Sequence, residues 1–157
     1  MNQDTEHLLR DVVARLERAI HDRDCPAIVA LQGKRTLVLS DYDYLRDEPT
    51  ASAFEERAAA KAREIHAVRW VFAVPQVLVP VEDGVAARAV ANLPLREGEQ
   101  EAITWMSCDR SDGVDYGWVP YARRPGGEPV FDEPEVVMVP VQPGDRVPGA
   151  HLLQSFE

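Results

Sequence analysis

The chain has 157 residues, 45% of them hydrophobic and 28% charged, with a formal net charge of −10. That length and composition suit one globular domain with its own core and exclude wholesale disorder. The acidic excess opposes direct binding to a nucleic-acid backbone or an anionic membrane; it is uneven, since residues 1–91 carry 12 basic and 15 acidic side chains and residues 92–157 carry 5 and 12.

Residues 5–22 read as an amphipathic helix. Leu8, Val12, Leu16 and Ile20 recur every fourth position, and Leu9, Val13 and Ala19 widen the stripe. Asp4 or Thr5 is placed to cap its first turn, Arg18, His21 and Arg23 suit its negative end, and Pro26 stops it. Residues 27–31 and 35–40 flank Gln32-Gly33-Lys34 and predict a β-hairpin. A polar connection, 41–49, leads to a second helix in which Ser52 and Glu55 have capping-box spacing. Its apolar face is Phe54, Ala58, Ala62 and Ile65; small residues let a helix lie close to a sheet, so it is placed against the strand that follows.

From Val68 onward, short β-branched and aromatic runs predict strands at about 68–79, 85–90, 101–108, 116–123 and 135–141. The turns between them hold Asp83-Gly84, the 92–98 loop, Asp112-Gly113 and Pro125-Gly126-Gly127. Pro80, Pro120 and Pro140 each sit inside an apolar triplet and mark strand ends, edges or bulges. Alternation groups Trp70 with Phe72 and Val74, and Trp105 with Ile103. It leaves Trp118 with Tyr116 and Pro120, the less apolar set, and so predicts Trp118 as the exposed tryptophan. Trp70, Phe72 and Ile103 are expected in the core with Leu16 and Ile65. The fold expected is a single α+β domain, 1–157, with 142–157 as a C-terminal arm. Its order is α-β-β-α-β-β-β-β: a curved, mainly antiparallel sheet of five to seven strands with two helices packed on one face.

No glycine-rich phosphate loop, dinucleotide fingerprint or nucleophile elbow is present. His7, His21, His66 and His151 stand apart without a second ligand at metal-binding spacing, so neither metal nor cofactor is expected. Cys108-Asp109 lacks a local base, and a cysteine nucleophile needs one. Cys25 and Cys108 form no CxxC pair, and residues 1–10 are polar without an apolar signal region. The expectation is a cytoplasmic protein with reduced thiols. No apolar run reaches the roughly 20 residues a membrane helix needs.

The strong apolar strand, then Asn92-x-Pro94-x-Arg96, then Glu101-Ala102-Ile103 opening a new strand, resembles a group of small uncharacterised bacterial proteins. The resemblance spans about 28–124 and implies a similar fold, with no activity and no site residues.

The reading that follows is a non-enzymatic acidic protein-interaction or assembly module, binding another protein or itself. The prolines suggest an edge strand among 116–123 and 135–141, and edge strands invite partners. The contact residues expected there are Trp118, Tyr121, Arg123 and Arg124, inside an acidic rim of Asp109, Asp112, Asp115, Glu128, Asp132, Glu133 and Glu135. Tyr42 and Tyr44, in the Asp41-Tyr42-Asp43-Tyr44 loop, are a second contact candidate. The alternatives are a small hydrolase using carboxylates from the 41–48 and 97–101 loops, and an acidic decoy of a nucleic-acid-binding protein.

Overall fold

The computed structural model describes residues 1–91, 94–137 and 147–156. Its elements in chain order are α1 (Gln3–His21), β1 (Ala27–Gln32), β2 (Thr36–Asp41), α2 (Glu48–Glu64), β3 (Arg69–Val81), β4 (Gly84–Arg88), β5 (Gln100–Asp109), β6 (Gly113–Arg123), β7 (Pro129–Phe131), β8 (Glu135–Val136) and α3 (Ala150–Phe156). All strand pairs are antiparallel, in the order β2-β1-β3-β5-β6-β7. The α+β class, the single domain and the antiparallel sheet expected from the sequence are all present. Of the strand expected at 135–141, residues 135 and 136 form β8, and 138–141 lie outside the described residues, as does part of the 142–157 arm.

β3 is the central strand. Residues 70–77 are buried without a break, which is what a strand covered on both faces requires. Even positions Trp70, Phe72 and Val74 join Val29, Leu31, Phe54, Ala58, Ile65 and Met106 under α2 and α3. Odd positions Val71 and Ala73 join Ile28, Ala30, Ile103, Trp105, Val119 and the α1 stripe of Leu8, Val12, Leu16 and Ile20. This corrects the expectation of both helices on one face. α1 covers one face and α2 the other, because a sheet apolar at both alternations must be closed twice. The expected core residues are all buried, but Leu16 and Ile103 lie on the α1 face, and Trp70, Phe72 and Ile65 on the α2 face.

The helix caps also differ from those read locally. Asn2 caps α1, accepting from the Thr5 amide at 2.8 Å, while Thr5 itself is buried. Asp47 caps α2 through the Thr50 amide at 2.8 Å, with Pro49 in the first turn where a missing N–H is harmless. The helix therefore starts before Ser52. Glu55 points inward instead, accepting from the Tyr44 hydroxyl at 2.6 Å and from the Leu152 amide at 3.0 Å. One buried side chain thus holds the 42–46 loop and caps the first turn of α3. α3 then sets Leu152 and Phe156 into the α2-face core, with the Phe156 ring edge-on to Trp70.

Along one edge, β3 pairs with β1 from residue 69 to 73 and with β4 from 77 to 81. Between the two registers, residues 74–76 have no strand partner on that side among the described residues. Pro75 falls in this gap, where a strand interior tolerates proline.

Candidate functional site

The six contact residues expected from sequence divide sharply. Strand alternation sends Trp118 and Tyr121 to opposite faces of β6, so they cannot form one patch. Tyr121 is only 2% exposed; it sits under α1 with Val119, and its ring lies 5.0 Å from that of Phe131 on β7. Burial, Glu101 and Cys25 all push its phenol upward in pKa. Trp118 is half-buried, and its Nε1 donates to Glu135 Oε2 at 2.8 Å, so β8 of the same chain already covers it. Arg123 is engaged internally: Nε donates to Glu101 Oε2 at 2.8 Å and Nη1 to the Gly127 carbonyl at 3.0 Å. Arg124 is exposed at the turn before β7. The connection after β2 sends Tyr42 out, 68% exposed, and Tyr44 in, 5% exposed, its ring packed on Phe54 and Phe72. Tyr121 and Tyr44 are thus core residues, and the strand edge expected to be open at β6 is occupied by β7 and β8.

The acidic rim is partly internal as well. Asp109 is buried; one carboxylate oxygen accepts from the Ser111 amide at 2.8 Å and the other from Arg69 Nε at 3.0 Å. Burial alone raises its pKa, but hydrogen bonds from the Ser111 amide, Asn2, Arg69 and the Asp112 amide outweigh that and bring it down to about 2. Glu133 pairs with Arg10 of α1 at 3.1 Å.

Two carboxylates of the 97–101 loop are held by arginines. Glu99 accepts from Arg88 at 3.0 Å and the Arg96 amide at 2.7 Å, and Glu101 is held by Arg123. The cleft beside Tyr42, Asp43 and Arg46 is closed by Cys25, Pro75 and Val90 and takes no carboxylate from 97–101. Burial pushes the Cys25 thiol upward, with Arg123 opposing and Glu101 and Asp24 adding, so it is not tuned as a thiolate nucleophile. A second cleft, between the end of α2 and α3, is lined by Arg63, His66, Arg110 and Phe156; there Arg110 stacks 4.0 Å over the Phe156 ring and donates to the Ala67 carbonyl. Among the described residues, no group of three or more His, Cys, Asp or Glu could hold a metal ion, and no helix is long and apolar enough to cross a membrane.

Sequence reasoning missed the surface that the fold does leave open. β3 runs past the core and returns as β4, and this hairpin carries its apolar side chains into solvent, with Val81 49% and Val85 67% exposed. The signal was available: Val79, Val81, Val85, Ala86 and Ala87 flank Glu82-Asp83-Gly84, but the sequence alone does not say that no helix among the described residues covers them. No family model, curated protein or solved structure matches the chain.

Proposed function

We propose that the protein is a non-enzymatic acidic interaction module. The observation that carries this reading is the β3–β4 hairpin. Its register sets Val85 opposite Pro80 on one side and Val81 on the other, so the projecting end of the ribbon exposes apolar side chains on both sides, and only a partner that takes hold of this end would bury them. The chain's net charge of −10 favours encounter with a basic protein and disfavours nucleic acid. Cys25 and Cys108 lie on opposite faces of the sheet and form no disulfide, in keeping with a reducing, cytoplasmic setting. The test is the Val81→Glu, Val85→Glu double variant, compared with wild type by co-purification and by titration against each protein recovered. Both positions face solvent, so the fold is expected to survive, and loss of a specific partner supports the reading. An unchanged partner set in the folded variant overturns it.

A further inference from the structure

The path β2-β1-β3-β5-β6-β7 has two ends, and they differ; β4, off this path beside β3, is a further edge. At one end, β7 and β8 lie along β6. At the other, β2 pairs with β1 on its inner side, and among the described residues nothing pairs with its outer side. Open edges are usually blunted by proline, a bulge or an inward charge. β2 carries none of these between residues 36 and 40, where the sequence is Thr-Leu-Val-Leu-Ser. Leu37, Val38 and Leu39 remain half-buried at the rim of the two cores.

We propose that β2 pairs in antiparallel register with β2 of a second copy of this chain, about a two-fold axis at Val38. The segment from Arg35 to Asp41 is self-complementary in that register. Arg35 stands opposite Asp41 of the other copy, Thr36 opposite Ser40, Leu37 opposite Leu39, and Val38 opposite itself. The faces agree: Arg35 approaches Glu64 of α2 at 3.6 Å and Asp41 approaches Arg57 of α2 at 3.9 Å, so both charges lie on the α2 face. Directly opposed charges of unlike sign favour this register, and each slip of one residue would move a side chain to the wrong face. Across the axis, Arg57, Asp41, the other copy's Arg35 and its Glu64 form an alternating chain of charge. Such rim pairs set register more than affinity; the affinity comes from backbone hydrogen bonds and from completing the burial of Leu37 and Leu39. An isologous pair uses both open edges at once, so assembly stops at a dimer rather than growing into a filament. This contact is separate from the β3–β4 hairpin and does not rest on it.

The test uses the full chain. Thr36 and Ser40 are exposed in the monomer, so Thr36→Lys with Ser40→Lys leaves the fold intact while setting like charges opposite each other in the pair. Thr36→Glu with Ser40→Lys sets unlike charges opposite each other at the same positions. Light scattering is expected to give a dimer for wild type, a monomer for the lysine pair and a dimer again for the Glu/Lys pair. Hydrogen exchange of wild type across residues 36–40 is expected to slow as protein concentration rises. The Val81→Glu, Val85→Glu variant is expected to stay dimeric, which separates this contact from the hairpin. A monomeric wild type, a folded lysine pair that stays dimeric, a folded Glu/Lys pair that stays monomeric, or exchange in β2 independent of concentration overturns the proposal.

Discussion

Replacing Glu55 by alanine removes the one acceptor shared by the Tyr44 hydroxyl and the Leu152 amide, both in buried surroundings. Each stranded donor costs about 1–3 kcal/mol, so the variant should lose about 2–6 kcal/mol in total. In a domain of this size that corresponds to a fall in Tm of roughly 2–4 °C for each kcal/mol. Glu55→Gln keeps one oxygen for the Leu152 amide and can donate from its nitrogen to the Tyr44 oxygen, so its loss should be nearer about 1 kcal/mol. The assay is urea unfolding of the three proteins, joined to amide hydrogen exchange read across α3. In the alanine variant the α3 amides should exchange much faster than the amides of β3 and β5, because the helix has lost the cap on its first turn. If α3 keeps wild-type protection in Glu55→Ala, the side chain does not hold the helix and the argument fails.

Asp109→Asn should lower stability by about 2 kcal/mol at neutral pH, the equivalent of the carboxyl moving from 3.8 in the unfolded chain to about 2 in the fold. A depressed carboxyl stabilises above its unfolded pKa, so in wild type this contribution is complete above about pH 4 and fades as pH falls through about 2. Urea midpoints against pH should therefore converge for wild type and variant at the acid end; a constant gap would sink the assignment. Gly117→Ala should destabilise by about 1–3 kcal/mol through overpacking, because a Cβ there meets the Trp105 ring and the Glu135 carbonyl. A shift in tryptophan emission should accompany it, and an unshifted spectrum at wild-type stability would refute the packing described.

What was legible in the sequence followed from local chemistry. The β1–β2 hairpin, the Asp-Gly turns into β4 and β6, and the stripe of α1 are each written within a few neighbouring residues. What was not legible depended on residues far apart in the chain. Ser52 and Glu55 satisfy the spacing of a capping box, yet Asp47 with Pro49 starts the helix earlier, and Glu55 finds its partner at Leu152. The placement of the helices was half written. Residues 70–74 are apolar at both alternations, which already asks for a cover on each face. Tyr121 was misjudged because aromatic type says nothing about side; its odd position, shared with Val119, puts it under α1. The open β2 edge was invisible because a hairpin read from sequence does not reveal which strand a third one joins.

The order of strands also bears on how the chain reaches this state. Most strand pairs close over short distances along the chain, but β1 and β3 meet only after Gln32 finds Arg69, across the whole of β2 and α2. β3 and β5 meet from Leu78 and Gln100, over a shorter loop. Loop-closure entropy rises with the span enclosed, so the 27–41 hairpin and the antiparallel strands of 69–123 can each gather before the seam between them is joined. α1 packs along that seam, against β1, β3 and β5 together, and its docking is tied to the same event. On this view the nucleus lies in the 69–123 strands. Side-chain truncations at Met106 should slow folding, and truncations at Val29 should mainly speed unfolding. The reverse pattern in stopped-flow kinetics would place the seam first.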